Sequence, residues 1–305
     1  MHNVFIDGRS GTTGLRIEQR LANRRDINLL VLPADKRRDH AARVEMHNRA
    51  DVSFLCLPDE AALEIVPHVR AETVIIDAST AHRVAAGWAY GMPELGADYR
   101  AAIQTGKRIA NPGCHASGFN ALVRPLILGG LIAKDARLSC ISLTGYSGGG
   151  KEIIEKYEAQ SRTRGDELCA PMQYALPQQH KHLPEMVAHT GLQHAPVFCP
   201  VIADYPCGIE LTVPLHDVPK QAVLDCLREF YSDAAMINVV DDPDARPASM
   251  MHGRDSMEIC VHGNDERLLL IARFDNLGKG ASGAAVQCLN LAIGADEREG
   301  LVASL

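Results

Sequence analysis

The first third of the 305-residue chain alternates short apolar segments with segments of helical periodicity. Apolar segments lie at residues 4–7, 28–32, 52–57 and 73–77, and helices are predicted at 15–23 and 59–70. Each apolar segment is a continuous run, which is typical of a parallel strand in a sheet that is covered on both faces. Repeated strand–helix units therefore predict a doubly wound α/β domain with right-handed crossovers.

The middle of the chain has a different pattern. Strand candidates lie at 138–143, 197–203, 209–214, 257–262 and 268–274, and several follow one another without a helix between them. Gly263-Asn264-Asp265 is a predicted hairpin turn between the last two strands. With helices predicted at 151–160 and 221–231, this region indicates an α+β domain with a mainly antiparallel sheet.

The last helical pattern, at 281–293, is expected to pack back against the first domain. We therefore predict a discontinuous first domain at 1–113 and 278–305 and a second domain at 114–277.

Composition excludes several classes of protein. The formal net charge of −7 and the lack of a long basic run argue against a nucleic-acid partner. No apolar run reaches membrane-spanning length, and no signal peptide precedes the first strand. The nine cysteines are scattered without a CxxC pair, which argues against a disulfide framework or a cysteine-rich zinc site and fits a reducing cytoplasm.

A glycine-rich turn, Gly8-x-x-Gly11-x-x-Gly14, joins the first strand to the first helix. Glycines at such a turn allow close backbone approach, and the helix N-terminus accepts a pyrophosphate, as in Rossmann-type domains. The predicted cofactor-binding residues of this turn are Ser10, Gly11, Thr12, Thr13 and Gly14. Pro58 and Ser79 lie in loops after later strands and are expected to line the same cofactor site. The alternative is a tight turn that holds no ligand.

The residues after the second strand favour NADP over NAD. Asp35 stands where NAD-binding domains often carry an acidic residue, but Lys36, Arg37 and Arg38 follow it, and Arg9 lies in the glycine-rich turn. This basic cluster, with Arg37 as its predicted contact, suits a 2′-phosphate; the alternative is a solvated loop.

Cys114 is the candidate nucleophile. It follows a strand-like segment at 107–110 and the turn Asn111-Pro112-Gly113, and an amphipathic helix pattern begins there. The N–H groups and positive dipole end of a helix favour a thiolate and can also stabilise an oxyanion. The alternative is a small buried apolar residue. Pro125 is predicted to end or kink this helix.

A second glycine-rich turn, at 144–151, also lies between a strand and a helix. Its backbone N–H groups, with Ser147, Gly148 and Lys151, are candidates for holding a substrate phosphate or carboxylate. A flexible turn without a ligand is the alternative.

These motifs together resemble the N-acetyl-γ-glutamyl-phosphate reductase family in its shorter form. The resemblance extends over nearly the whole chain and rests on Gly8-x-x-Gly11-Thr12-Thr13-Gly14, Asp77-Ala78-Ser79, Tyr90-Gly91-Met92-Pro93-Glu94-Leu95, Asn111-Pro112-Gly113-Cys114, His180-Lys181-His182-Leu183-Pro184-Glu185 and Gly278-Lys279-Gly280-Ala281-Ser282-Gly283.

The resemblance implies a Rossmann domain plus an α+β catalytic and dimerisation domain, as in aspartate-semialdehyde dehydrogenase. It implies NADP as cofactor, dimers or tetramers, cofactor contacts at Asn276 and Gly280, and a substrate contact at Asn111. The implied activity is NADPH-dependent reductive dephosphorylation of N-acetylglutamyl phosphate to its semialdehyde, with release of inorganic phosphate, in arginine biosynthesis. Cys114 would carry the thioacyl intermediate.

Collapse of a thiohemiacetal requires an acid/base group. His180 and His182 are the candidates, and the sequence does not separate them. Glu185 is expected to orient one imidazole, whereas His115 is expected to be a surface or structural residue. No metal is expected, because the histidine pair has no third ligand at a useful spacing.

Two alternative functions stay open from the sequence. The chain resembles other semialdehyde dehydrogenases, such as the one for aspartyl phosphate, in its candidate nucleophilic cysteine and its cofactor. A non-catalytic NADP-binding regulator would bind the cofactor without turnover that depends on Cys114.

Overall fold

The computed structural model describes residues 1–159, 167–241 and 244–303. The chain divides into two compact units, one formed by Met1–Pro112 and Ala281–Leu301 and the other by Gly113–Gly280. Val302 belongs to the second unit, and its backbone N–H and carbonyl both bond Asp255. No helix among the described residues is long and apolar enough to cross a membrane.

The helices are α1 (Thr12–Leu21), α2 (His40–Arg49), α3 (Asp59–Ile65), α4 (Ala97–Thr105), α5 (Cys114–Leu128), α6 (Lys151–Tyr157), α7 (Leu183–Thr190), α8 (Lys220–Phe230) and α9 (Gly283–Ile293). The strands are β1 (His2–Asp7), β2 (Ile27–Leu30), β3 (Val52–Leu55), β4 (Val74–Asp77), β5 (Ala89–Tyr90), β6 (Arg108–Ala110), β7 (Ser139–Gly145), β8 (Met172–Gln173), β9 (Val197–Ala203), β10 (Ile209–His216), β11 (Ile237–Val239), β12 (Met257–Asn264) and β13 (Arg267–Phe274).

The first unit is built on a parallel sheet of order β2-β1-β3-β4-β6-β5. Every residue of β3 and β4 is buried, as their continuous apolar sequences predict. One core packs α1 and α9 against the sheet, and separate clusters pack α2 and α3 on other strand residues. The doubly wound prediction is confirmed, and strand order reverses at β1, where the glycine-rich turn begins.

Several element boundaries in the first unit differ from the predictions. Helix α1 begins at Thr12, because the last residues of the glycine-rich turn form its first turn. Helix α3 ends at Ile65 and a 3-10 turn containing Pro67 follows, since proline cannot donate the next helical hydrogen bond. Helices α2 and α4 and the short strand β5 were not predicted.

The second unit contains a mixed sheet of order β11-β12-β13-β10-β7-β9-β8. Pairs β11–β12 and β7–β9 are parallel and the other four pairs are antiparallel, so the sheet is mainly antiparallel as expected. The predicted hairpin joins β12 to β13, but its turn is Asp265-Glu266. Asn264 pairs with Arg267 as the last residue of β12, and its side chain accepts from the backbone of Glu266 and Arg267.

Helix α6 covers the start of the predicted 151–160 helix and ends at Tyr157; Gln160 lies outside the described residues. Helix α5 continues past Pro125 to Leu128, so the proline does not end it. Pro125 has no N–H for the carbonyl of Ala121, and the hydroxyl of Tyr231 donates to that carbonyl at 2.8 Å instead. A side chain from α8's C-terminal end therefore replaces the missing backbone bond.

Candidate active site

The glycine-rich turn after β1 has the geometry of an anion site. Gly8 has a φ of +82°, and a Cβ there would lie 2.1 Å from the carbonyl oxygen of Cys56. A Cβ on Gly14 would lie 2.6 Å from the carbonyl oxygen of Gly8. Gly11 stands at the N-cap of α1 and offers no side chain to the first N–H groups of the helix. These N–H groups therefore suit a phosphate.

A cavity of about 660 Å³ in the first unit lies beside this turn. Its lining includes Gly8, Ser10 and, from the loop after β2, Asp35, Arg37 and Arg38. Ser10 of the predicted turn and the predicted Arg37 therefore line one cavity, whereas residues 11–14 are not among its lining residues. The positive charge and the glycine turn fit a dinucleotide that carries an additional phosphate.

Two members of the predicted basic cluster have other partners. Lys36 lies 3.7 Å from Asp39, and it is not among the residues that line the cavity. Arg9 lines the cavity but forms a two-point ion pair with Glu18 of α1, which raises the pKa of the guanidinium. Arg37 and Arg38 are thus the stronger candidates for a 2′-phosphate.

Arg43 also lines the cavity and was missed by the sequence analysis. Its Nε donates to Asp7 Oδ2 at 2.9 Å, and His47 Nε2 lies 2.9 Å from the same oxygen. Burial alone would raise the pKa of Asp7, but the hydrogen bonds from His47 and Arg43 outweigh it and the pKa is lowered. The ionised Asp7 holds Arg43 at the cavity. The sequence signal for α2, the helix that carries Arg43, was Asp39 at its N-cap.

The predicted loop residues differ in their surroundings. Pro58 is exposed at the N-cap of α3. Ser79 is buried, its Oγ donates to Asp77 Oδ2 at 2.6 Å, and His82 Nδ1 lies 2.6 Å from that same oxygen. The hydroxyl of Ser79 therefore shapes its own loop.

Asn111 is buried directly after β6. Its backbone N–H donates to the carbonyl of Asp77 at 2.7 Å, and its Nδ2 donates to the carbonyl of Ala281 at 3.0 Å. Its Oδ1 has no hydrogen-bond partner among the described residues. The amide is thus held at one end, with an acceptor left over.

Cys114 is the first residue of α5 and is partly exposed, as a nucleophile requires. The preceding Gly113 N–H donates to Glu185 Oε2 at 2.9 Å. A Cβ on Gly280 would lie 2.9 Å from Cys114 Cβ, so Gly280 is needed for this packing. The contact observed for Glu185 thus fixes the turn before the cysteine, and its expected role in orienting an imidazole stays a prediction.

His180 and His182 lie together in the turn before α7, with ring centroids 4.6 Å apart. The backbone N–H of His182 donates to His180 Nδ1 at 3.1 Å, which makes that nitrogen an acceptor. His182 is buried, whereas His180 is half-buried and lines a cavity of about 510 Å³ with Tyr174 and Lys181.

His115 is not a surface residue. It is buried, its ring centroid lies 5.7 Å from that of His180 and 5.5 Å from that of His182, and Nδ1 bonds Ser142 Oγ at 2.8 Å. Burial, with the nearby His180, lowers the pKa of His115 to about 3. His115 is therefore a neutral structural histidine. Of the two alternatives expected from the sequence, the surface position is wrong, because the side chain lies on the buried side of α5.

Tyr174 was missed by the sequence analysis. Its hydroxyl lies 2.8 Å from His115 Nε2, and burial together with the nearby Cys114 raises its pKa. Tyr174 thus stays protonated beside the nucleophile. It follows the short strand β8, whose two exposed residues give no strong sequence signal.

The second glycine-rich turn joins Ser147 to Asn276. Asn276 Nδ2 donates to Ser147 Oγ at 3.0 Å, and Asn276 Oδ1 accepts from the N–H of Gly208 at 2.8 Å. Gly148 is exposed beside this bond, and a Cβ added there would lie 3.1 Å from Asn276 Nδ2. Lys151 is not brought into this group: its side chain is 82% exposed and lies 3.7 Å from Glu155.

Cys207, His252 and Asp275 form the metal-ligand-like cluster found among the described residues, with potential donor atoms within 4.8 Å of one another. Asp275 accepts backbone N–H groups from Gly253, Leu277 and Gly278. These bonds account for the buried carboxylate without a metal.

Comparisons with known proteins agree with this arrangement. Residues 3–104 match the family model "Semialdehyde dehydrogenase, NAD binding domain", and residues 114–276 match "Semialdehyde dehydrogenase, dimerisation domain". A curated relative from Burkholderia cenocepacia (strain HI2424), named N-acetyl-gamma-glutamyl-phosphate reductase, is 42% identical over 96% of this chain and 97% of its own. A relative from Nostoc, N-acetyl-gamma-glutamyl-phosphate reductase 2, is 40% identical over 98% of both chains.

Solved structures share the fold. Aspartate semialdehyde dehydrogenase II from Vibrio cholerae superposes with a TM-score of 0.76 at 17% identity, covering 96% of this chain and 99% of that one. The enzyme from Candida albicans with NADP gives a TM-score of 0.67 at 15% identity, covering 97% and 99%.

Proposed function

The chain belongs to the N-acetyl-γ-glutamyl-phosphate reductases of the semialdehyde dehydrogenase family, and from this premise we propose its activity and the roles of its residues. The activity is NADPH-dependent reduction of N-acetylglutamyl phosphate to the semialdehyde with release of inorganic phosphate, a step of arginine biosynthesis. The observation that carries it is Cys114 at the N-terminus of α5, near Tyr174, whose hydroxyl bonds His115 of the histidine cluster.

The chemistry begins at Cys114. Its thiolate attacks the acyl carbonyl, the N-terminal N–H groups of α5 stabilise the oxyanion, and the C–O bond to phosphate breaks to leave a thioester. NADPH, when bound, would supply the hydride that reduces the thioester, and NADP would be the oxidised product. The thiohemiacetal on Cys114 then gives its proton to the His180–His182 pair as the C–S bond breaks, which releases the semialdehyde.

The cofactor-binding residues proposed in the first unit are the Ser10–Gly14 turn, Arg37, Pro58 and Ser79. The glycine cradle and the arginine-lined cavity support NADP. Asn276 and Gly280 stay predictions from the resemblance.

The substrate contacts proposed are Asn111, Ser147 and Gly148. The leftover acceptor of Asn111 supports its role. Lys151 stays a prediction, and the KM for phosphate in Lys151→Met decides it: an unchanged KM removes Lys151 from the site.

A homodimer or homotetramer is proposed through the second sheet. The face of that sheet opposite α5 carries apolar side chains, and Ile141 and Leu269 on it are 45% and 42% exposed. The family model for this region is a dimerisation domain. Sedimentation analysis of the protein and of Ile141→Glu tests this: a monomeric native protein would exclude it. The nine cysteines are all present as thiols, which supports a cytoplasmic location.

The acyl-enzyme is directly observable. Incubation with N-acetylglutamate semialdehyde and NADP in the absence of phosphate should load Cys114 as a thioester. Intact-mass and peptide-level mass spectrometry should show one N-acetylglutamyl adduct on Cys114. An adduct elsewhere, or none during NADP reduction, would contradict the proposed route.

A further inference from the structure

Gln178 binds both backbone groups of one residue in the neighbouring strand. Its Nε2 donates to the carbonyl of Phe198 at 2.7 Å, and its Oε1 accepts from the N–H of Phe198 at 2.8 Å. Phe198 belongs to β9, whose antiparallel partner β8 ends at Gln173; after it, Tyr174 N–H still donates to the Pro200 carbonyl at 3.1 Å. The side chain of Gln178 thus takes the place of the next strand residues.

The backbone around Gln178 is strained. Ala175 and Gln178 have φ values of 53° and 57°, in the left-handed region that disfavours residues with a Cβ. The turn is closed by the Gln178 N–H, which donates to the carbonyl of Ala175 at 3.0 Å. Such a turn persists only where surrounding contacts hold it. The two bonds to Phe198 are contacts of this kind.

The strained turn at 175–178 connects Tyr174 to His180, two residues that contact His115. Before it, the Tyr174 hydroxyl bonds His115 Nε2; after it, His180 packs on Phe198 with ring centroids 5.1 Å apart. The ring of Phe198 also lies 5.2 Å from that of His115. Gln178 therefore holds the backbone of the residue whose ring supports both histidines.

We propose that Gln178 is a positioning residue for catalysis: its amide fixes the turn that places Tyr174 near Cys114 and His180 against His115 and Phe198. The role rests on the proposed function, since His180 matters for turnover only if it belongs to the acid/base pair. Gln178 is itself exposed, so its replacement opens no core cavity.

Two variants separate positioning from space filling. Gln178→Gly removes the amide and relieves the left-handed backbone, whereas Gln178→Glu keeps the size but places a carboxylate oxygen against the Phe198 carbonyl. Both should lower kcat by about tenfold to 100-fold, because small misplacement of a reacting group has effects of this order. The KM for semialdehyde and for NADP should change much less.

Asp217→Gly is the matched control, because Asp217 is another exposed residue with a left-handed backbone, at φ 55°, in the loop after β10. It should keep the native kcat. If Gln178→Glu also keeps the native kcat, Gln178 does not position the cluster.

A second readout does not depend on turnover. The imidazole NMR signals of His180 and His115 should shift in both Gln178 variants and stay unchanged in Asp217→Gly. Unshifted signals in the Gln178 variants would overturn the inference. If the native protein itself lacks phosphate-dependent turnover, the proposed function fails and the catalytic role of Gln178 fails with it; the NMR result then tests only whether Gln178 positions the two histidines.

Discussion

The carboxylate of Glu185 accepts a hydrogen bond of 2.9 Å from the N–H of Gly113, the residue before Cys114. Glu185 is buried on α7, and Gly113 is the N-cap of α5. One helix thus fixes the start of another at the nucleophile.

Loss of this bond should destabilise the fold. Glu185→Ala leaves a buried N–H without its acceptor, so the free energy of unfolding should fall by about 1–3 kcal/mol and thiol alkylation of Cys114 should change in rate. Urea denaturation and a timed alkylation assay measure both effects. Glu185→Gln retains an acceptor oxygen, so its free energy of unfolding should fall less. Glu229→Ala, at an exposed site on α8, is the control and should change the free energy of unfolding little. Equal stability in Glu185→Ala and the native protein would contradict this role.

Gly280 leaves room for the nucleophile. In Gly280→Ala the new methyl group would lie 2.9 Å from Cys114 Cβ and 3.3 Å from the Phe274 ring. Cys114 should be displaced, and kcat should fall by at least about tenfold. Gly294→Ala is the control, because it strains a left-handed helix end with no neighbouring atom within 4 Å and should cost stability without affecting kcat. Native kcat in Gly280→Ala would show that the cysteine position tolerates the methyl group.

Arg37 should set the preference for NADP. A charged hydrogen bond to a 2′-phosphate contributes roughly 1.5–3 kcal/mol, so Arg37→Ser should raise the KM for NADP by about tenfold or more and leave that for NAD nearly unchanged. Steady-state kinetics with both cofactors gives the comparison. Arg49→Ser, a change of an exposed arginine on α2, serves as the control. Equal catalytic efficiency with the two cofactors in the native enzyme would refute the preference.

His115 should make stability depend on pH. Its pKa is about 3 in the folded protein and near 6.5 when unfolded, so between pH 6.5 and about 3 only the unfolded state binds this proton. Its stabilising contribution is present above pH 6.5 and is lost as pH falls towards 3, with a limiting slope of about 1.4 kcal/mol per pH unit. Urea unfolding at pH 7.5 and 5.5 should therefore show a smaller pH effect for His115→Gln than for the native protein. Identical pH effects would mean that His115 titrates normally.

Local sequence patterns were sufficient to predict much of this fold. Continuous apolar runs marked β3 and β4, and the residue types around Cys114 marked a helix start. Helix α2 was missed because its sequence is largely polar, although Asp39 caps it as a sequence signal would suggest.

Long-range side-chain pairs were beyond the sequence. The bond between Tyr174 and His115 joins residues 59 positions apart, and that between Glu185 and Gly113 spans 72. Periodicity reports which face of an element is apolar, but it does not report which polar side chains from different elements meet. The placement of Lys151 at the surface was equally invisible, since its neighbouring glycines suit a ligand site or a simple turn.

The most direct test of the account is phosphate-dependent reduction of NADP by the purified protein with N-acetylglutamate semialdehyde, run beside Cys114→Ala. The account predicts turnover in the native protein that requires phosphate and is abolished in the variant. Turnover without phosphate, or turnover that survives the loss of Cys114, would contradict the thioacyl route.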